Sequence, residues 1–61
     1  MKKTKVMWKN QNNEILFNEV IFECELPRIN EHVIYLGFYC TITDIERNFD
    51  KNEIEIILRQ S

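Results

Sequence analysis

Glycine, proline and histidine each occur once in the 61 residues, and cysteine twice. Each scarcity removes a class of function. With Gly37 as the sole glycine there is no Gly-rich loop to cradle a phosphate. His32 cannot by itself supply a histidine-based metal cluster. Cys24 and Cys40 lack the close-pair spacing of a zinc set, and strand parity puts His32 opposite Cys40, which also defeats a Cys–His nucleophile pair. Both cysteines read as small core hydrophobes with reduced, inert thiols. No cofactor or metal site is expected. No apolar run approaches a membrane span, and the basic start lacks an apolar h-region and a small-residue cleavage site. A cytoplasmic protein is expected. The net charge of -2 gives no general attraction to phosphate backbones or anionic lipid.

What is present is a chain with the length of one small domain, residues 1–61. A domain of about 60 residues buries only roughly 60% of the surface its unfolded chain exposes, so a partner subunit would relieve a thin core. The stretch from Leu26 to Ile45 organises the rest. Pro27 has no N–H for a central ladder and closes the strand before it, while Gly37 lies between apolar β-formers where a tight hairpin needs φ > 0. With Gly37–Phe38 as the loop, Tyr35 faces Cys40 and Val33 faces Ile42. With Leu36–Gly37 as the loop the pairing slips. Either way Val33, Tyr35, Cys40 and Ile42 share one face, with Ile34, Tyr39 and Thr41 on the other. Both faces are rich in apolar groups, where a half-buried antiparallel strand should alternate apolar with polar.

Lys3 to Lys9 reads as a first strand, with Val6 and Trp8 on one side and Met7 on the other. The Asn10–Asn13 run tolerates left-handed backbone and reads as a turn. From Glu14 to Leu26 the composition is β-like, and helical spacing would group Leu16, Glu19, Val20 and Glu23, which is no apolar stripe. The alternation puts Val20, Phe22, Cys24 and Leu26 inward, with a bend or bulge at Asn18 and Glu19. A fourth strand runs from Phe38 to about Phe49. Cys40 and Ile42 point one way, then Ile45, Arg47 and Phe49 continue one residue out of phase, so a β-bulge belongs at Thr43 or Asp44. After a turn at Asp50–Asn52, the last strand, from Glu53 to Arg59, has Ile54, Ile56 and Leu58 inward. Five short strands joined by tight turns give an all-β fold, a small antiparallel barrel.

The run Leu26-Pro27-Arg28-Ile29-Asn30-Glu31, then Val33, Gly37, Cys40, Ile42, Ile45, Phe49-Asp50 and a terminal Ile-x-Ile strand, resembles small SH3-like β-barrel proteins of bacterial and phage genomes. In such sequences the turn often reads Leu-Pro-Arg-Ile-Gly-Glu, and a polar hairpin tip is followed by an aromatic three residues after the glycine. Here Asn30 replaces the turn glycine, which a left-handed position accepts, and Cys40 replaces the aromatic. Leu36, Phe38 and Tyr39 make the tip apolar. The resemblance covers roughly the second half of the chain, implies a five-stranded SH3-like barrel, and brings no assigned activity.

The ten acidic residues fall at outward or turn positions and read as a solvated face, not as paired catalytic carboxylates. No enzyme is expected. Two binding functions follow from the remaining residues. In the first, Ile34, Leu36, Phe38 and Tyr39, joined by Trp8, Ile21 or Ile57, form an apolar face for protein contact, with a homodimer and a host protein as partners; the alternative use of the same residues is to cover one open end of the core. In the second, Trp8, Phe38 and Tyr39 stack on single-stranded nucleic acid while Lys5, Lys9 and Arg28 meet phosphates. The acidic balance disfavours nucleic acid, because backbone neutralisation supplies most of the affinity in such complexes. The N-terminal lysines then serve as solubilising edge charges.

Overall fold

The computed structural model describes residues 2–60. Five strands follow in order: β1 (Lys3–Asn10), β2 (Ile15–Phe22), β3 (His32–Tyr35), β4 (Phe38–Asn48) and β5 (Glu53–Gln60). They form one curled sheet in the order β2-β1-β5-β4-β3. The result is a half-barrel with a concave, apolar inside. β2 and β3 are its two edges.

The sheet is mixed, which corrects the antiparallel expectation. Three pairings are antiparallel and β1 pairs β5 in parallel. The cause is directional. Strands 1, 3 and 5 all run one way, so any order that seats β1 beside β5 makes that pair parallel. The same directions place the β1–β2 turn and the β3–β4 tip at one end of the half-barrel. Residues 23–31 and the β4–β5 turn lie at the other.

The turns follow from asparagine chemistry. Asn13, Asn30 and Asn52 all have positive φ, at 66°, 73° and 55°, the conformation Asn adopts most readily after Gly. At the first turn the Asn10 side-chain oxygen accepts the N–H groups of Asn12 and Glu14, at 2.9 and 3.0 Å. Asn30 occupies the left-handed position expected of it, and the chain there pairs with β4. Its N–H reaches the Ile42 carbonyl at 2.8 Å, while the Ile42 N–H reaches Glu31 at 2.9 Å. The β4 ladder slips between Ile42 and Asp44, so Thr43 is the bulge residue. Ile45 is thereby brought back to the inner face opposite Ile56.

The core is Val6, Trp8, Cys40, Ile42, Ile54, Ile56 and Leu58. All seven are at positions the alternation of β1, β4 and β5 turns inward. β2 departs from its expected parity. Its inward residues are Phe17, Glu19 and Ile21, opposite Trp8, Val6 and Thr4, whereas Val20 is exposed. Two causes combine. A bulge falls at Leu16, since Trp8 pairs with Phe17 but Lys9 with Ile15, two residues before the expected bend. The strand also ends at Phe22, where a 3-10 turn over Glu23–Glu25 begins, so the alternation through Cys24 and Leu26 never belongs to one strand. Cys24 is consequently exposed and only Cys40 is buried. Leu26 still packs against the core, from the linker.

Side chains bring the two edges together. Trp8 stacks on Phe17 with centroids 5.5 Å apart, and Phe17 stacks on Tyr35 at 5.2 Å. The Tyr35 hydroxyl donates to the Leu16 carbonyl at 3.4 Å. The Trp8 indole N–H donates to the Glu19 carboxylate at 3.1 Å, which accounts for an acid on the inner face. At the linker end Arg47, in phase with Ile54, reaches Glu23 at 2.9 Å. Phe49, expected to follow in that phase, lies beyond β4 and is exposed, its ring 6.0 Å from the Arg47 guanidinium.

Candidate functional site

The β3–β4 hairpin turns at Leu36 and Gly37, with Tyr35 opposite Phe38, Ile34 opposite Tyr39 and Val33 opposite Cys40. Of the two loops compatible with the sequence, the chain adopts Leu36–Gly37. Both loop residues have positive φ, 51° for Leu36 and 81° for Gly37, as a type I′ turn requires. Gly37 bears this without cost and has open space where a Cβ would stand. Leu36 does not, since a left-handed backbone costs an ordinary side chain roughly 1–2 kcal/mol. Asn is the usual residue at that position.

Leu36→Asn should therefore raise stability by about 1 kcal/mol, a rise in Tm of about 4–8 °C for a domain of this size. Thermal melting followed by far-UV circular dichroism at low protein concentration measures it. An unchanged or lower Tm would show that Leu36 is not strained.

The strained leucine belongs to a patch. Leu36 is 77% exposed, Ile34 75%, Phe38 53% and Tyr39 51%. Ile34 and Tyr39 are cross-strand partners on the outer face. Leu36 and Phe38 help line a notch of about 160 Å³ at the hairpin end of the barrel, floored by Leu16, Cys40 and Leu58. A second notch, of about 210 Å³, lies between the edges, beside Ile34, Tyr35, Phe17 and Trp8. His32, on the outer face, packs its ring 5.0 Å from that of Tyr39, and its Nδ1 is 3.1 Å from the Thr41 hydroxyl.

Four of the five residues expected in this face are exposed, but the hairpin divides them, with Ile34 and Tyr39 on the outer face and Leu36 and Phe38 at the notch on the hairpin end. Trp8 is the exception. It is 7% exposed, held inside by the Phe17 stack and its bond to Glu19, so it corrects both the interface set and the nucleic-acid set that included it. A lone tryptophan on an alternating strand is legible as inward. Its removal from the patch follows from the parity of β1, which turns Val6 and Trp8 the same way.

Comparison with family models, curated proteins and solved structures finds no match to this chain.

The cationic residues are dispersed. Lys5 and Lys9 share the convex face of β1 with Met7, opposite Glu53, Ile57 and Glu55 on β5. Lys9 is ion-paired with Glu55. Arg28 is exposed on the linker. With Lys9 neutralised and Trp8 buried, the nucleic-acid set retains Phe38 and Tyr39 for stacking and Lys5 and Arg28 as cations. Among the described residues no group of three or more His, Cys, Asp or Glu could hold a metal ion, and no helix is long and apolar enough to cross a membrane. Sequence reasoning missed the conformation of Leu36. The signal was the leucine itself, standing before the glycine where a two-residue hairpin loop prefers asparagine.

Proposed function

We propose that this chain is a non-enzymatic protein-interaction module, a cytoplasmic SH3-like barrel of a bacterial or phage genome, whose apolar hairpin face associates with a second copy of itself. A host protein is a further partner for the same face. The observation that carries the proposal is Leu36. A leucine held at φ 51° and open to solvent weakens the monomer twice, through backbone strain and through unburied apolar surface. Strain of this kind collects where a side chain serves something other than folding.

The size of the patch supports a dimer. Four large side chains, each more than half exposed, present on the order of 300–600 Å², the range of the largest apolar patches on monomer surfaces. Two such patches sum to about 600–1,200 Å², which spans the roughly 1,000 Å² that a specific interface needs.

The test is the solution mass over a concentration series by sedimentation, for the wild type and for Leu36→Glu combined with Phe38→Lys. The expected result is a wild-type mass that rises to twice the chain mass and a variant that stays at one. Unchanged mass and unchanged thermal stability in the variant would show that the patch neither joins subunits nor caps the barrel.

A further inference from the structure

We infer that the outer part of the β3–β4 hairpin, residues 34–39, is a hinged flap that swings away from β2 while the rest of the sheet stays folded, with the Tyr35 side chain as its latch. The ladder shows where it hinges. Among the described residues β4 meets β5 only from Cys40 onward, where Cys40 faces Gln60, and β3 pairs only with β4. Phe38 and Tyr39 therefore have no strand partner except β3. The hairpin overhangs the last rung of the sheet, and the hinge falls at the Val33–Cys40 pair.

Side chains alone hold the flap against β2, since the two edge strands share no ladder. Phe17 stacks on Tyr35 with centroids 5.2 Å apart, and the Tyr35 hydroxyl donates to the Leu16 carbonyl at 3.4 Å. That bond is weak, being longer than the usual O–H···O range of about 2.5–3.0 Å. The bulge supplies the catch, because the extra residue of a bulge stands outside its ladder, and in β2 that residue is Leu16. Beyond the latch the flap is thinly packed: Ile34 and Leu36 are mostly exposed, and Leu36 is strained. Local opening is drawn from segments with few buried apolar contacts and little ladder.

The two notches show what the flap covers. Those of about 160 and 210 Å³ both end on Tyr35 and Leu58, so the Tyr35 ring is the partition between them. Swinging it out joins them into one apolar cleft, with Leu16 and Phe17 on its wall and Leu58 and Cys40 on its floor. In the closed form Cys40 is buried, and its thiol lies 3.6 Å from the Phe38 carbonyl, a group of the flap itself. Opening uncovers the thiol. The hairpin is thus a lid on the interior of the half-barrel, whether or not its outer face associates with another chain.

The experiment is alkylation by N-ethylmaleimide of the wild-type protein diluted to one chain mass, with the label on Cys40 measured by mass spectrometry of its peptide. Reclosing outruns alkylation, so the rate reports the population of the open form. A flap exposes little surface, and the Cys40 rate should change less than about twofold between zero and 1 M urea, where exposure by global unfolding rises about fivefold or more. Tyr35→Phe keeps the ring, removes the catch and should speed the labelling about two- to tenfold. A rate that climbs with urea as steeply as global unfolding from the first addition overturns the flap, and so does a rate equal to that of the unfolded chain. A shallow rate that Tyr35→Phe leaves unchanged overturns the latch. The urea dependence is read on the unaltered chain, so it decides the flap whatever the substitution does to the fold.

Discussion

Trp8→Ala should remove about half or more of the folding stability at 25 °C. Replacing a buried Trp by Ala costs about 3–5 kcal/mol. A chain of 61 residues, at about 0.05–0.15 kcal/mol per residue, has roughly 3–9 kcal/mol to lose. Trp8 also lies at the first step of the Trp8, Phe17, Tyr35 stack that draws the two sheet edges together, and aromatic pairs contribute about 0.5–1.5 kcal/mol beyond their burial. Its loss removes the side-chain closure of a half-barrel whose edge strands do not pair with each other. Glu19 would be left without the indole donor it accepts from. Urea denaturation followed by far-UV circular dichroism measures the effect. A midpoint within experimental error of the wild type would mean that the stack is ornamental to the fold.

Ile56→Ala costs about 2–5 kcal/mol by the cavity it leaves. Ile56 is fully buried at the middle of β5, opposite Trp8 on one side and Ile45 on the other. Ile57 is one residue further along and turned to the convex face beside Lys9 and Asp44. Ile57→Ala should cost well under half as much, because a partly covered surface position keeps no closed cavity. The two variants form one comparison, made by equilibrium urea unfolding. Equal losses would mean that β5 is covered on both faces.

Those variants probe what alternation alone made readable. β5 repeats Ile54, Ile56, Leu58 against Glu53, Glu55 and Arg59, and β1 places Val6 and Trp8 between lysines, so each strand declared its inner face. The bulge at Thr43 was legible for the same reason. A one-residue phase change between Ile42 and Ile45 requires one extra residue in the strand, which is what a bulge supplies. Asn30 was legible as a left-handed turn position only through the resemblance, which puts a glycine there that Asn can replace. β2 was not legible. Val20, Phe22, Cys24 and Leu26 alternate against glutamates as cleanly as β5 does, yet the bulge at Leu16 turns Glu19 inward, where the Trp8 indole bonds it from across the sheet. Nothing local to β2 carries that information.

The candidate site divides in the same way. Excess apolar character on both faces of the hairpin was visible in Ile34, Leu36, Phe38 and Tyr39. Which of the two loops forms was not, because Leu36–Gly37 and Gly37–Phe38 preserve the same parity and differ only in backbone handedness. The folded hairpin adopts the loop that puts Leu36 in a left-handed conformation.

The sequence by itself determined the number of strands, the turns at Asn10–Asn13 and Asp50–Asn52, the β4 bulge and the inward faces of β1, β4 and β5, because each depends on residues within a few positions of one another. The tertiary structure decided the parallel β1–β5 pairing, the parity of β2, the stack that holds Trp8 inside and the side-chain seam between β2 and β3. Those depend on which distant strands become neighbours, and strand order is fixed by closing one core around the whole chain, a condition that no local period records.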